Sequence, residues 1–152
     1  MELDFTGGTD IAAPAEFVFT RLMDPHAIGA CVPLMQSVEA ADHTHYRVNT
    51  GVGRTTLGIG LGFDVEVTGS RPPEHVSYLM RGRVVGSLVE IRSTIQLESE
   101  GLPTRLRWAA AVLVRGPAAS MGTNLLGGTL RRFTEEFWRE FGRRTAEEAG
   151  GP

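Results

Sequence analysis

The stretch that decides the fold runs from Ala118 to Glu148 and reads AASMGTNLLGGTLRRFTEEFWREFGRRTAEE. Leu126, Leu130, Phe133, Phe137 and Phe141 follow at intervals of four, three, four and four residues, which lines them along one side of an α-helix. Arg131, Arg132, Glu135, Glu136, Arg139, Glu140, Arg143 and Arg144 cover much of the remaining surface. Such a helix reaches roughly 45 Å at about 1.5 Å per residue. A helix that long needs a broad partner, and no other segment has a long helical period. The preceding chain is therefore expected to build a curved sheet whose concave face this helix covers.

Working back from the helix, the apolar period is two. Leu106, Trp108, Ala110, Val112 and Val114 alternate with Arg105, Arg107 and Arg115. Val89, Ile91, Ile95 and Leu97 alternate with Glu90, Arg92, Gln96 and Glu98, and Val76, Tyr78, Met80 and Val84 with Ser77, Arg81 and Arg83. Leu57 to Val67 carries its large apolar side chains at odd positions, and Gln36–Ala40 and His45–Thr50 flank a polar turn. Glu2 to Ile11 reads as a first strand. Pro14 and then Asp24-Pro25 start two short helices, in keeping with proline in a first turn and aspartate as a cap. The expected class is α+β: a bent antiparallel sheet of about seven strands around a long C-terminal helix, with two short helices after the first strand. One domain spans residues 1–148, and 149–152 are expected to fray.

Composition narrows the function. The 152 residues are 41% hydrophobic and 22% charged, as in an ordinary globular domain. No apolar run is long enough to cross a membrane, and the acidic MELDFTGGTD start lacks signal-peptide form. A single cysteine, Cys31, excludes an internal disulfide and suits a reducing compartment. The net charge of −3 argues against nucleic acid as a partner. All 15 basic residues are arginine, so neither Schiff-base chemistry nor a phosphate-loop lysine is available.

The expected inner face takes Ile59, Leu61 and Phe63 from one strand, Tyr78 and Met80 from the next, and Ile91 and Trp108 from the last two. Against them lies the small-residue half of the helix, Ala118 to Gly128, with Met121 and Leu125 as its larger members. Gly127-Gly128 inside a helix costs about 1–2 kcal/mol relative to alanines. Either a close helix–sheet contact or a local break is expected to account for it. These nine side chains, Ile59 through Leu125, are the candidate apolar ligand site, at a loose end opposite a closed aromatic end built by Phe133, Phe137, Trp138 and Phe141.

Catalytic and metal motifs do not assemble. Gly58-Ile59-Gly60-Leu61-Gly62 superficially looks like a dinucleotide fingerprint, but it lies inside an alternating strand instead of opening a helix. His43 and His45 flank a turn without a completing ligand set, and Asp64 and Glu66 share a solvated strand face. Cys31 reads as a small buried thiol. No catalytic residue, metal ligand or cofactor is assigned.

Met23-Asp24-Pro25 followed by Ala30-Cys31-Val32-Pro33 resembles the corresponding stretch of the carbon monoxide dehydrogenase G-subunit family, a branch of the START-like, polyketide cyclase/dehydratase and lipid-transport superfamily. Gly51-Val52-Gly53, the Arg71-Pro72-Pro73-Glu74 turn and the late Gly122…Leu125-Leu126…Phe133…Phe137 pattern extend the likeness over nearly the whole chain. The resemblance implies a helix-grip fold and a hydrophobic-ligand-binding accessory protein, for a lipid or quinone. It further implies a molybdenum-dependent carbon monoxide dehydrogenase-type oxidoreductase as partner, and a cytoplasmic location that includes the inner face of the membrane. Peripheral membrane contact and a homodimer stay open. Leu34 stands where the family has glycine, the middle strand is unusually glycine-rich, and many members continue into an anchoring tail where this sequence ends at Pro152. Two rivals remain: a cyclase/dehydratase-type enzyme using Tyr78 with Arg81 or Asn124, and an interaction module presenting Trp138.

Overall fold

The computed structural model describes residues 1–51, 61–84, 86–121 and 123–150, with backbone alone for Leu61, Val84, Met121 and residues 123–126. The elements are β1 (Glu2–Ile11), α1 (Ala15–Leu22), α2 (Pro25–Ala30), β2 (Met35–Asp42), β3 (His45–Thr50), β4 (Leu61–Arg71), β5 (His75–Val84), β6 (Ser87–Glu98) and β7 (Thr104–Arg115). A short 3₁₀ helix (Pro117–Met121) then leads into α3 (Thr123–Gly150).

The seven strands form one antiparallel sheet in the order β1-β7-β6-β5-β4-β3-β2. Each strand from β2 to β7 pairs with the next, while β1 lies beside β7 at the far edge. The chain must therefore pass from one edge of the sheet to the other between β1 and β2, and α1 and α2 make that passage. Asp24 starts α2: its carboxylate accepts from the His26 amide at 2.9 Å, and Pro25 occupies the first turn. The register of β4 on β5 shifts between Val67 and Gly69, a bulge that bends the strand.

Alternation of burial is cleanest along β7. In β7 the even residues from Thr104 to Val114 are mostly buried while Arg105, Arg107 and Arg115 are exposed. The exposed arginines meet carboxylates on the convex face, Arg105 with Asp10 at 3.3 Å and Arg107 with Glu98 at 3.4 Å. Such exposed pairs stabilise by less than about 1 kcal/mol each. The core lies on the concave side, where Ile11, Val18, Leu22, Ile95, Leu106 and Phe141 belong to one cluster.

The helix differs from expectation in three ways. Pro117–Met121 turns as a 3₁₀ segment, so α3 begins at Thr123 and is 28 residues long, about 42 Å. Its other end stays helical through Ala149 and Gly150 instead of fraying at 149. Among the described residues, Gly127-Gly128 neither breaks the helix nor serves a tight contact: a Cβ at Gly127 would meet Leu3 Cδ2 at an ordinary 3.7 Å, and one at Gly128 would meet none of them within 4 Å.

Candidate ligand-binding site

Along its length α3 lies nearest to β1 and approaches α1, while the central strands stand farther from it. On the β1 side the Arg131 guanidinium sits 5.2 Å over the Phe5 ring. The separation on the other side leaves a cavity of about 50 Å³ between the helix and β3–β6. The strands contribute Val48, Phe63, Val65, Met80 and Ile91 to its wall, and α3 contributes Phe133, Thr134, Phe137 and Trp138. Ile28 and Val32, in and just after α2, close one side, and Tyr78 and Ser93 complete the lining.

The wall is graded. Val48, Val65, Tyr78, Phe137 and Trp138 are buried, whereas Phe63, Met80, Ile91, Ser93 and Phe133 are half-buried. The cavity thus has a sealed inner end and a side that reaches toward solvent. Phe63 pairs with Gly82 across β4 and β5, and a Cβ at Gly82 would fall 2.6 Å from Phe63 Cδ1. The ring can occupy this place only because position 82 has no side chain.

Of the nine sequence candidates, the structure brings Phe63, Tyr78, Met80 and Ile91 together on this cavity. Trp108 is buried in the core beside β1, where a Cβ on Gly7 would collide with its indole. Ile59 lies outside the described residues, as do the side chains of Leu61, Met121 and Leu125. The aromatic half of the helix, expected to close one end, instead supplies Phe133, Phe137 and Trp138 to the cavity wall. Trp138, expected at the closed aromatic end and exposed only in the interaction-module rival, is 5% exposed and packs edge-on between Phe137 and Phe141 with centroid distances of 4.9 and 5.5 Å, which counts against that rival. A sheet that wraps the helix buries a wider arc than the single stripe of the heptad-like spacing.

Polar groups near the cavity are few, and two of its hydroxyls are engaged. Tyr78 Oη donates to the Leu22 carbonyl at 2.5 Å, and Thr134 Oγ1 donates to the Leu130 carbonyl at 2.8 Å. Burial, and then the neighbouring Tyr46, push the Tyr78 phenol well above its ordinary range. Tyr46 Oη is itself buried, with no partner among the described residues. Arg81 points to the convex face, 3.5 Å from Glu90, so Tyr78 and Arg81 do not converge; the Asn124 side chain lies outside the described residues. Cys31 is buried, donates to the Ala27 carbonyl at 3.3 Å, and burial pushes its thiol up to about 12, which disfavours the thiolate that a nucleophile needs. Among the described residues no three metal-ligating side chains gather, and no helix is long and apolar enough to cross a membrane.

The turn before β2 centres on Leu34. Leu34 has φ 55°, in the left-handed region, and is 67% exposed, while its carbonyl accepts from the Gly51 amide at 2.8 Å. A side chain there costs about 1–2 kcal/mol that glycine would not incur.

Compared with known families, residues 7–145 match the profile of the carbon monoxide dehydrogenase G-subunit (CoxG). The chain belongs to the CoxG family. The solved structures it resembles agree with that placement in fold. A conserved protein from Geobacillus kaustophilus superposes with a TM-score of 0.83 at 24% identity, covering 96% of this chain and 97% of that one. The Zhui aromatase/cyclase from Streptomyces sp. R1128 gives 0.73 at 15% identity with 100% of both chains covered. A START superfamily protein from Mycobacterium smegmatis gives 0.66 at 14% identity, covering 96% of each. At such identities these likenesses establish the helix-grip fold alone. No curated protein matches the sequence closely enough to count as a relative.

Proposed function

We propose that this CoxG-family protein binds a hydrophobic small molecule, lipid or quinone-like, between the sheet and α3, without catalysing a reaction on it. Family and fold support a ligand-binding domain at that coarse level. The observation that carries the finer reading is the apolar cavity itself, with aliphatic and aromatic side chains from the strands, from α2 and from α3. A void of this size in an otherwise sealed core costs on the order of 1 kcal/mol. Small-molecule sites usually measure roughly 300–1,000 Å³. Occupancy therefore requires the half-buried wall of Phe63, Met80, Ile91 and Phe133 to move outward from its 50 Å³ resting state. Family membership further supports an accessory role beside a molybdenum-dependent carbon monoxide dehydrogenase-type enzyme. The cyclase-type alternative loses support from the divergence of Tyr78 and Arg81.

Native mass spectrometry of protein purified from its host, before and after mild organic extraction, tests the binding proposal. The expected result is a mass excess that extraction removes and that identifies as an apolar compound. A mass equal to the bare chain, with no uptake of added fatty acid or quinone, would overturn it. Co-purification of a molybdenum hydroxylase with the tagged protein tests the partnership, and its failure to co-purify at native expression would count against the accessory role.

A further inference from the structure

Ser93 and Trp138 are the two cavity-lining residues whose polar side-chain atoms find no partner among the described residues. Ser93 lies on the concave face of β6, opposite Tyr78 of β5 and Ala110 of β7, in a position where its neighbours Ile91 and Ile95 are apolar. Its hydroxyl makes no hydrogen bond with the described residues. Trp138 is 5% exposed, lines the same cavity, and its indole Nε1 also has no acceptor among them. Nor is Nε1 sealed in the way that Tyr46 Oη is. Because Trp138 lines the cavity, an acceptor bound there has a route to its indole.

The other cavity hydroxyls have no proton to offer, because Tyr78 and Thr134 give theirs to the Leu22 and Leu130 carbonyls. Charge decides the rest of the chemistry. Among the described residues no arginine or histidine lines the cavity, so a carboxylate or phosphate bound there would be buried unpaired, which is heavily unfavourable. A neutral oxygen acceptor, by contrast, would satisfy two donors that are otherwise left unmade.

We infer that Ser93 and Trp138 recognise a neutral, carbonyl-type hydrogen-bond acceptor on an otherwise apolar ligand. The inference rests on the cavity being the ligand site, and it narrows the ligand from any apolar molecule to one whose uncharged oxygen enters between β6 and α3. Charged single-chain lipids such as fatty-acid anions are the class it excludes.

The experiment compares three probes of similar shape: benzophenone, its hydrocarbon counterpart diphenylmethane, and the anion diphenylacetate. Affinities are measured on the full chain by calorimetry, and the carbonyl stretch of bound benzophenone is followed by infrared spectroscopy. Benzophenone is expected to bind roughly threefold to tenfold more tightly than diphenylmethane, the contribution of an ordinary hydrogen bond. Its carbonyl band should lie below the position seen in hexane. Ser93→Ala should shrink both the affinity advantage and the band shift while leaving diphenylmethane unchanged. Trp138→Phe should do the same, with its melting temperature measured in parallel because that indole also packs in the core. Equal affinities for ketone and hydrocarbon, or a band unmoved by Ser93→Ala, would overturn the inference while leaving the cavity as a ligand site. Tightest binding of diphenylacetate would also overturn it. If no probe binds, the cavity proposal falls and this inference falls with it.

Discussion

The space under α3 has two ends built from similar residues that behave differently. At one end Ile11, Leu22, Ile95, Leu106 and Phe141 are each at most 1% exposed. At the other, Phe63, Met80, Ile91 and Phe133 are only half-buried around a cavity. Hydropathy does not distinguish them, since both are aliphatic and aromatic throughout. Layering does. Where α1 comes against α3, a third element adds Val18 and Leu22 to the core. Over β4–β6 the wall opposite the strands comes mainly from α3, and a curved sheet outruns one helix there.

That contrast can be broken most sharply by truncation. Phe141→Ala should cost about 3–5 kcal/mol, as large aromatic truncations in sealed cores do. Ile91→Ala, at the edge of a void that already exists, should cost clearly less, about 2 kcal/mol, the low end for such truncations. Urea denaturation of the two variants checks the ranking; equal losses would mean that the two ends are packed alike.

A smaller effect, of opposite sign, is expected on the helix itself. Gly127→Ala and Gly128→Ala should each stabilise by up to about 1 kcal/mol, because the added methyl groups meet open or ordinary contacts. Thermal melts check this, and destabilisation would show that the glycines serve a close contact after all. A separate effect concerns pH. Burial raises the Cys31 thiol from 9.0 to about 12, offset in part by Arg144, so the folded chain keeps a proton that the unfolded chain loses. The stability this contributes is complete below pH 9 and declines as pH rises toward 12. Denaturant midpoints measured across that range should fall with pH, and Cys31→Ala should flatten the fall; an unchanged slope in the variant would remove Cys31 as its cause.

The fold was legible because its signals are periodic. Strand alternation in β3, β6 and β7 and the Leu130–Phe141 spacing both come from one-sided burial, and Asp24-Pro25 capped the helix it announced. The site was legible in part. Phe63, Tyr78, Met80 and Ile91 sit at inward strand positions, which alternation reveals. Ile28 and Val32 were not, because a short insert gives no period by which to orient it. Trp138 was legible only as part of an aromatic end, because adjacent Phe137 takes the helical stripe and a wrapping sheet is needed to bury both. Ser93 carries a readable signal of its own: a polar residue at an inward position, between Ile91 and Ile95.

The central claim, that the half-buried end is a ligand site and the sealed end is core, is tested most directly by filling the cavity. Ile91→Trp places an indole in that space from a half-buried wall. Titration of the neutral fluorophore N-phenyl-1-naphthylamine into wild type and variant, with melting temperatures recorded alongside, is the measurement. The account predicts saturable one-to-one binding by the wild type, at least a tenfold loss in Ile91→Trp, and little change in melting temperature. Equal binding by both proteins, or a variant that fails to fold, would contradict it.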